Sequence, residues 1–283
     1  MFVSKAAVVG AGTMGGEIAG VLAAANVPVI LKDVEQRYVD RGLEKAQSHW
    51  QAQVDAGRLE PGELQRRLTL IRGTTDYDAF GDVDFVIEAV PERLDVKQSV
   101  FEELDEATPG HAILASNTSS LSITEIGDAT GRPERVIGFH FFYPASVRRL
   151  IEVVEGDYTS PETMQAAMAF AQAIRKTPIR CAEVPGAVVN RILASTLSEM
   201  WRHQQETGMD VKEIDRLVTE SRAAPLGPFS LCDQLGLDLV VQVAEHLRQC
   251  YGERFFVHEQ MRKLVQEGKL GAKTGKGFYE HGS

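Results

Sequence analysis

Residues 5–19 read KAAVVGAGTMGGEIA, an apolar run followed by three closely spaced glycines. Gly10, Gly12 and Gly15 fit the pattern G-x-G-x-x-G between a strand-like and a helix-like segment. In a dinucleotide-binding turn, the first glycine permits the bend, the second lets backbone approach phosphate, and the third brings the helix close to the strand. The alternative is a buried turn that binds nothing, and the rest of the chain has to decide between the two.

The next apolar run ends at an acid, which favours the nucleotide interpretation. Asp33 follows the strand predicted at Pro28–Leu31, about 20 residues beyond the glycines, as the dinucleotide-binding pattern requires. A carboxylate there accepts hydrogen bonds from the ribose hydroxyls of NAD and repels the 2′-phosphate of NADP. We therefore predict NAD as the cofactor, with its pyrophosphate at the helix N-terminus that includes Thr13 and Met14. Lys32 is a neighbouring cation that would soften this discrimination if it faced the ribose.

Composition and charge narrow the class of protein. At 283 residues, with 43% apolar and 25% charged residues, the chain suits two globular domains better than one. Its net charge of −10, without a basic block, argues against nucleic acid as a partner. Apolar stretches fall short of the ~18 residues of a membrane span, and glycines interrupt the N-terminal apolar region, so we expect neither a membrane segment nor a signal peptide. Three scattered cysteines, Cys181, Cys232 and Cys250, indicate free thiols in a reducing cytoplasm and no metal site.

Strand-like and helix-like segments alternate through the first part of the chain. The predicted strands are Lys5–Val9, Pro28–Leu31, Leu68–Arg72, Val83–Ala89, Ala112–Ser116, Arg135–Phe142 and Leu150–Val154, with a last extended piece at 178–179. The predicted helices are Gly15–Ala25, Val34–Gly57 with a second piece after residues 61–62, Lys97–Leu104, Ser122–Gly127 and Pro161–Ile174. Such alternation predicts an α/β domain around a parallel sheet.

The alternation stops after Pro185-Gly186. From Val188 to Trp201 apolar residues recur at helical spacing, and further helices are predicted at Val211–Ser221, Gly236–Cys250 and His258–Glu267. We therefore predict two domains: residues 1–185 bind the nucleotide, and residues 186–283 are all helical.

A histidine and a glutamate stand out in two consecutive predicted strands. His140 lies in GFHFFYP and Glu152 inside LIEVV. A carboxylate within an apolar strand is costly unless it is paired, and His140 can be its partner if the two strands are neighbours. Such a pair suits a dehydrogenase, because the imidazole takes a hydroxyl proton while the carboxylate holds its tautomer. The alternative for each residue is a satisfied side chain of the core or the sheet edge.

Polar residues follow another predicted strand, AILAS. The segment 117–120, with Asn117 and Ser119, lies at the carboxyl end of that strand, where α/β sheets bind ligands. Its amide and hydroxyls suit a nicotinamide or a substrate oxygen. The competing interpretation is an N-cap for the helix predicted from Ser122.

Together these stretches carry a family resemblance. Over essentially its whole length the chain resembles the L-3-hydroxyacyl-CoA dehydrogenases, including bacterial 3-hydroxybutyryl-CoA dehydrogenases. The matching stretches are GAGTMGGEIA, VIEAVPERLDVKQSVFEELD, SNTSSLSITEI, GFHFFYP, LIEVV, PGAVVNRIL, PLGPFSL and GAKTGKGFY. The resemblance implies a Rossmann-type NAD-binding domain with a helical hairpin inserted after its second strand, followed by a helical C-terminal domain that dimerises.

The resemblance also implies roles for single residues. His140 would be the catalytic base with Glu152 as its partner, and Ser119 and Asn190 would contact the reacting oxygen of the substrate in a cleft between the domains. Along the cofactor would lie Asp33, Glu92, Lys97, Asn117, Ser119, Tyr143 and Lys273. Without the resemblance, Asn190 is a polar residue on a helix surface and Lys273 is a solvated lysine.

Three positions depart from the family pattern. Tyr143 stands where the family usually has Asn, close to the expected nicotinamide and substrate. Ala187 replaces an aromatic residue, and residues 221–224 read SRAA where a glycine is usual. The CoA-phosphate contacts of the family match no residue of Glu44–Gly57. The catalytic residues are in place, but the identity of the substrate is open.

The leading hypothesis is NAD-dependent interconversion of a short-chain L-3-hydroxyacyl-CoA and the 3-oxoacyl-CoA by a cytoplasmic homodimer of fatty acid metabolism. A second hypothesis keeps this chemistry on a free hydroxy acid, a carnitine-like compound or a carrier-protein thioester. A third is a non-catalytic nucleotide-binding protein, which the set of His140, Glu152, Ser119 and Asn190 disfavours.

Overall fold

The computed structural model of the chain describes residues 2–282. These residues form two compact units, the first ending at Val184 and the second beginning at Pro185. Within residues 2–282, no helix is both long and apolar enough to cross a membrane.

The first unit is organised around one sheet, which has eight strands within residues 2–184. In chain order they are β1 (Ala6–Val9), β2 (Val29–Lys32), β3 (Ile71–Thr74), β4 (Phe85–Glu88), β5 (Ile113–Ser116), β6 (Val136–Phe141), β7 (Leu150–Glu155) and β8 (Thr177–Ala182). Their spatial order is β3-β2-β1-β4-β5-β6-β7-β8. Neighbouring strands are parallel except β6 and β7, which are antiparallel. The predicted α/β class is confirmed, with one reversal of strand direction.

Helices cover both faces of this sheet. They are α1 (Thr13–Ala24), α2 (Gln36–Asp55), α3 (Pro61–Thr69), α4 (Leu94–Ala107), α5 (Ile123–Gly127) and α6 (Pro161–Ala173). Successive strand residues point to opposite faces, so Ala7 joins the core on one face with Phe101, and Val8 joins the core on the other with Leu22. The helices α2 and α3 lie between β2 and β3, which confirms the hairpin implied by the resemblance.

Two strands, β3 and β8, have a boundary more than two residues from the predicted one. Leu68, expected to open a strand, belongs to α3, because it packs on the core one helical turn after the buried Leu64. The strand β8 has six residues where only 178–179 are predicted as extended, because it pairs with β7 along its whole length. The partner of an edge strand is a tertiary property that local sequence does not display.

The second unit is helical. Its helices are α7 (Val189–Thr207), α8 (Val211–Glu220), α9 (Pro228–Leu235), α10 (Leu237–Tyr251) and α11 (Glu259–Gln266). The sequence does not predict α9, whose N-terminus is capped from a distance: the Asp215 carboxylate accepts hydrogen bonds from Phe229 N at 2.9 Å and Ser230 N at 2.8 Å. Between residues 185 and 282 the extended pairs are isolated bridges, so the predicted helical class is confirmed.

Gly16 lets α1 and α2 cross closely. A Cβ on Gly16 would lie 2.8 Å from the carbonyl oxygen of Gly42 on α2. We therefore expect Gly16→Ala to lower the free energy of unfolding by about 1–3 kcal/mol, the usual cost of overpacking, as measured by urea unfolding. Gly62→Ala in α3 is the matched control, because its Cβ position has no described atom within 4 Å. Equal losses for the two variants would contradict the packing argument.

Candidate active site

The glycine turn joins β1 to α1. Gly10 has a φ of +97°, and a Cβ there would lie 2.6 Å from the carbonyl oxygen of Ala89, so glycine is required. A Cβ on Gly15 would overlap the carbonyl oxygen of Gly10, which shows how closely α1 approaches the strand. The Cβ position of Gly12 has no heavy atom of residues 2–282 within 4 Å. The turn is packed against the protein at its first and third glycines and open at the second.

The helix α1 begins at Thr13, directly after the open glycine. No side chain in the described part of the chain caps this helix, and its first turn, which includes Met14, holds no acid. The N–H groups at such a helix N-terminus attract an anion, with support from the helix dipole. These residues therefore fit the pyrophosphate of a dinucleotide.

Asp33 lies beside this turn, just after β2. Its Oδ2 accepts a hydrogen bond from Ala11 N at 2.6 Å, which holds the carboxylate against the turn that would meet the nucleotide. Lys32 is only 7% exposed, and its Nζ lies 4.1 Å from the centroid of the Tyr77 ring. Because this ammonium is engaged in a cation–π contact, we do not expect it to counteract Asp33.

His140 and Glu152 face each other across the antiparallel pair of β6 and β7. His140 Nδ1 and Glu152 Oε2 are 2.9 Å apart, and Glu152 is 1% exposed. The predicted neighbourhood of the two strands is confirmed, and the buried carboxylate has an imidazole partner. We assign the proton of this bond to Nδ1, because an ionised carboxylate can only accept, which leaves Nε2 as the unprotonated nitrogen of a neutral imidazole.

The loop 117–120 follows β5 at the carboxyl end of the parallel strands, and several of its groups donate hydrogen bonds to one acid. Glu92 Oε1 accepts hydrogen bonds from Thr118 Oγ1 at 2.6 Å, Ser119 N at 3.0 Å and Ser120 N at 3.2 Å. Ser119 is exposed. Its hydroxyl donates a long hydrogen bond of 3.4 Å to the same Oε1, so the serine reaches the surface on a loop whose backbone is held in place.

Asn117 and Ser122 bound this loop. Asn117 Oδ1 accepts a hydrogen bond from Phe141 N at 2.8 Å, which ties the end of β5 to β6 next to the histidine. Ser122 Oγ accepts from Glu125 N at 3.0 Å and thereby caps α5. The N-cap interpretation is thus wrong for residues 117–120, because Ser122 itself performs that role. The side-chain oxygen of Asn117 has a structural role, because it binds the backbone of β6. The cofactor contact predicted for Asn117 is left to its NH₂ group.

Lys97 lies beneath the loop. It is 1% exposed, and its Nζ is 2.7 Å from Glu88 Oε1 and 3.3 Å from Glu92 Oε2. The lysine therefore pairs with Glu92, the acid that binds the backbone of the loop. Sequence reasoning misses Glu88, although the signal is present: Glu88 is an acid inside the apolar run VDFVIEA, and the argument made for Glu152 applies to it equally.

The remaining predicted site residues are Tyr143, Asn190 and Lys273. Tyr143, just beyond β6, is 58% exposed, and Lys45 Nζ lies 5.2 Å from its ring centroid. Asn190 is the second residue of α7, in the second unit. Lys273, also in that unit, has its Nζ 2.6 Å from Asp238 Oδ1. The first unit thus assembles the histidine pair, the serine loop and the glycine turn. The catalytic and cofactor-binding roles of these residues, like those of Asn190 and Lys273, stay predictions.

A cavity of about 570 Å³ lies between α1, α2 and the segments that precede β7 and β8. Its charged lining residues are Glu17, Lys45, Arg67, Arg149, Arg175 and Lys176. Lys176 Nζ donates to the carbonyl oxygens of Ala145 and Arg148 at 2.5 and 2.8 Å, and burial lowers its pKa. Arg149 and Arg175 are exposed and have no ion-pair partner among the described residues. In a chain of net charge −10, this local excess of positive charge favours an anionic ligand. The sequence alone does not predict the cavity.

A nucleotide-binding turn, an acid beside it and a histidine paired with a buried carboxylate in one α/β sheet are typical of a dinucleotide-dependent oxidoreductase. Comparison with known proteins specifies the family. The family model for the "3-hydroxyacyl-CoA dehydrogenase, NAD binding domain" matches residues 5–184. The family model for the "3-hydroxyacyl-CoA dehydrogenase, C-terminal domain" matches residues 186–281. The chain belongs to the 3-hydroxyacyl-CoA dehydrogenase family, and NAD is its cofactor.

Individual relatives resemble the chain over most of its length. The probable 3-hydroxybutyryl-CoA dehydrogenase of Deinococcus radiodurans is 37% identical, over 98% of this chain and 100% of its own. The structure of (S)-3-hydroxybutyryl-CoA dehydrogenase PaaH1 from Ralstonia eutropha is 34% identical with a TM-score of 0.95, over 100% of both chains. A diketoreductase structure, described as catalysing reactions of dicarbonyl compounds, is 30% identical with a TM-score of 0.84, over 99% of this chain and 100% of its own. The peroxisomal fatty acid beta-oxidation multifunctional protein MFP2 of Arabidopsis thaliana is 34% identical over 98% of this chain, which spans 38% of that protein's length.

The geometry of the nucleotide turn predicts that substitution of Asp33 changes cofactor binding and that substitution of its neighbour Lys32 does not. Asp33→Asn should raise the Kd for NADH about tenfold or more, because a hydrogen bond to a charged group contributes ~1.5–3 kcal/mol, and should narrow the preference for NADH over NADPH. Lys32→Met should leave that preference unchanged, since its ammonium is held over Tyr77. Titration of NADH and NADPH fluorescence measures both. A preference that follows Lys32 and ignores Asp33 would overturn this description of the ribose site.

Proposed function

We propose that the protein interconverts a short-chain L-3-hydroxyacyl-CoA and the corresponding 3-oxoacyl-CoA with NAD. The observation that carries the proposal is the 2.9 Å contact between His140 and the buried Glu152, in a chain of this family. The relatives from Deinococcus and Ralstonia, both named as 3-hydroxybutyryl-CoA dehydrogenases, support a short acyl chain. A protein that only binds nucleotide has no need of a buried acid paired with a histidine.

Bound NAD supplies the acceptor for the hydride that leaves C3 of the hydroxyacyl substrate. His140 Nε2 takes the proton of the C3 hydroxyl, because Nδ1 already carries a proton directed at Glu152. Glu152 keeps this tautomer and stabilises the imidazolium that results. The hydroxyl of Ser119, on the loop gathered by Glu92, orients the substrate oxygen toward the imidazole. In the opposite direction His140 returns the proton.

His140→Gln removes the proposed base. We expect kcat for acetoacetyl-CoA reduction to fall roughly 10²–10⁴-fold, with little change in the Kd for NADH, as followed by NADH absorbance. Glu152→Gln should also lower kcat, because the amide lacks the charge that stabilises an imidazolium. The matched control is Glu155→Gln on the same strand, whose carboxylate pairs with Arg180 at the surface. Wild-type turnover by His140→Gln would refute the mechanism.

The cationic cavity supports a CoA thioester as the substrate. CoA carries a pyrophosphate and a 3′-phosphate, and guanidinium groups bind phosphates in bidentate geometry. Arg149 and Arg175 line the cavity and have no ion-pair partner among residues 2–282. We propose that these two arginines, with Lys45 on α2, hold the phosphates of CoA.

A substrate without CoA is the second candidate. Tyr143 stands, 58% exposed, where the family usually has Asn. The diketoreductase relative, described as acting on dicarbonyl compounds, keeps the same fold at 30% identity. In this case the same proton transfer at His140 would serve a free 3-oxo acid or a dicarbonyl compound.

The two candidates differ in their response to the cavity arginines. For a CoA substrate, the double variant Arg149→Gln/Arg175→Gln should raise the KM for acetoacetyl-CoA about tenfold, with a weaker salt dependence than the wild type, because two exposed phosphate contacts are lost. The KM for NADH should not change. Arg180→Gln is the control, since Arg180 pairs with Glu155 outside the cavity. An unchanged KM, together with faster reduction of free acetoacetate than of its CoA thioester, would favour the second candidate.

We also propose that the chain forms a homodimer through its second unit and works in the cytoplasm. Apolar side chains exposed in that unit support an apolar interface: Ile192 is 64%, Leu239 49% and Leu217 46% exposed. The three cysteines are free thiols, which accords with a reducing compartment.

A further inference from the structure

Glu88 is a fully buried acid in the middle of the sheet. It is 0% exposed and ends β4, with Val9 of β1 on one side and Ser116 of β5 on the other. An ionised carboxylate at such a position is costly unless donors surround it, and burial raises its pKa against the opposing effect of the Lys97 charge. The proposed chemistry does not use this carboxylate, so we looked for another role in the hydrogen bonds that it makes.

Both carboxylate oxygens of Glu88 are occupied by donors from two different segments. Oε1 accepts hydrogen bonds from Lys97 Nζ at 2.7 Å and from Val90 N at 2.6 Å. Oε2 accepts from Ser116 Oγ at 2.6 Å. Glu88 therefore joins the start of α4 to the end of β5.

Each of these contacts continues to the loop 117–120. On one side, Lys97 Nζ lies 3.3 Å from Glu92 Oε2, and Glu92 Oε1 holds the N–H groups of Ser119 and Ser120. On the other side, Ser116 Oγ accepts a hydrogen bond from Thr118 N at 3.2 Å. Three consecutive backbone N–H groups of the loop are thus bound by a network that converges on Glu88.

We infer that Glu88 is a positioning residue, which sets the place of Ser119 through Lys97 and Glu92 on one side and through Ser116 on the other. This inference rests on the proposed function, in which Ser119 meets the substrate oxygen. An acid is needed at this position because the ammonium of Lys97 is then shared between two carboxylates, those of Glu88 and Glu92. If Glu88 is neutral, Lys97 is drawn toward Glu92 alone and competes there with the N–H groups of the loop.

The test uses Glu88→Gln in the full chain, with hydrogen exchange of residues 116–121 and steady-state kinetics as readouts. The amide keeps the size of the carboxylate, so the fold should persist, while exchange at residues 118–120 should accelerate at least tenfold. We expect kcat for acetoacetyl-CoA to fall about tenfold. Glu102→Gln, an exposed carboxylate on α4, is the matched control and should change neither readout.

A double-mutant cycle separates positioning from general stability. Ser119→Ala and Glu88→Gln should be non-additive, so that the double variant turns over no more than about twofold more slowly than Ser119→Ala. Additive losses, or unchanged loop exchange in Glu88→Gln, would overturn the inference. If Ser119→Ala keeps wild-type kcat while Glu88→Gln still accelerates loop exchange, the positioning of the loop stands and the proposed role of Ser119 fails.

A second variant covers the case in which Glu88→Gln does not fold. Ser116→Ala removes only the other arm of the network, so exchange should accelerate at Thr118 more than at Ser119 and Ser120, which Glu92 still binds. Uniform acceleration over the whole of β5 would instead indicate a loss of strand stability and would count against positioning.

Discussion

The reversal of strand direction between β6 and β7 is the constraint on which the site depends. In a parallel sheet the carboxyl ends of the strands share one edge, and another parallel strand would place its first residues at the opposite edge. Because β7 runs back, its first residues lie where β6 ends, and Glu152 comes directly opposite His140. The apolar strand β7 can then bury an acid, because the half-buried histidine of β6 pairs with it.

The connection between these two strands is held from both sides. Glu17 on α1 accepts a hydrogen bond from Ala145 N at 2.5 Å, while Lys176, just before β8, donates to the carbonyl oxygens of Ala145 and Arg148. Backbone groups that a loop usually leaves to water are here paired with charged side chains. Since α1 also carries the glycine turn, the histidine pair and the nucleotide turn are held by the same elements of the first unit.

Buried acids have a common use in this unit. Glu152 and Glu88 both lie inside apolar strands, and each is satisfied by donors from neighbouring segments, one by an imidazole and the other by an ammonium, a hydroxyl and a backbone N–H. An acid in this setting orders its surroundings, because leaving any donor unmet costs free energy in a low dielectric. Several cations of this acidic chain line one cavity, among them Arg149 and Arg175, which are exposed.

The sequence by itself determined the glycine turn, the α/β alternation and the helical second unit, and it indicated the pairing of His140 with Glu152, because these follow from local spacing and from an acid inside an apolar run. It did not predict α9, the full length of β8 or the cavity. The resemblance implies that Lys97 lies along the cofactor, which stays a prediction, and the burial of this lysine between Glu88 and Glu92 was not predicted. Only the tertiary structure decided these points, because the stability of a helix cap, an edge strand or a buried charge depends on partners that come from distant parts of the chain.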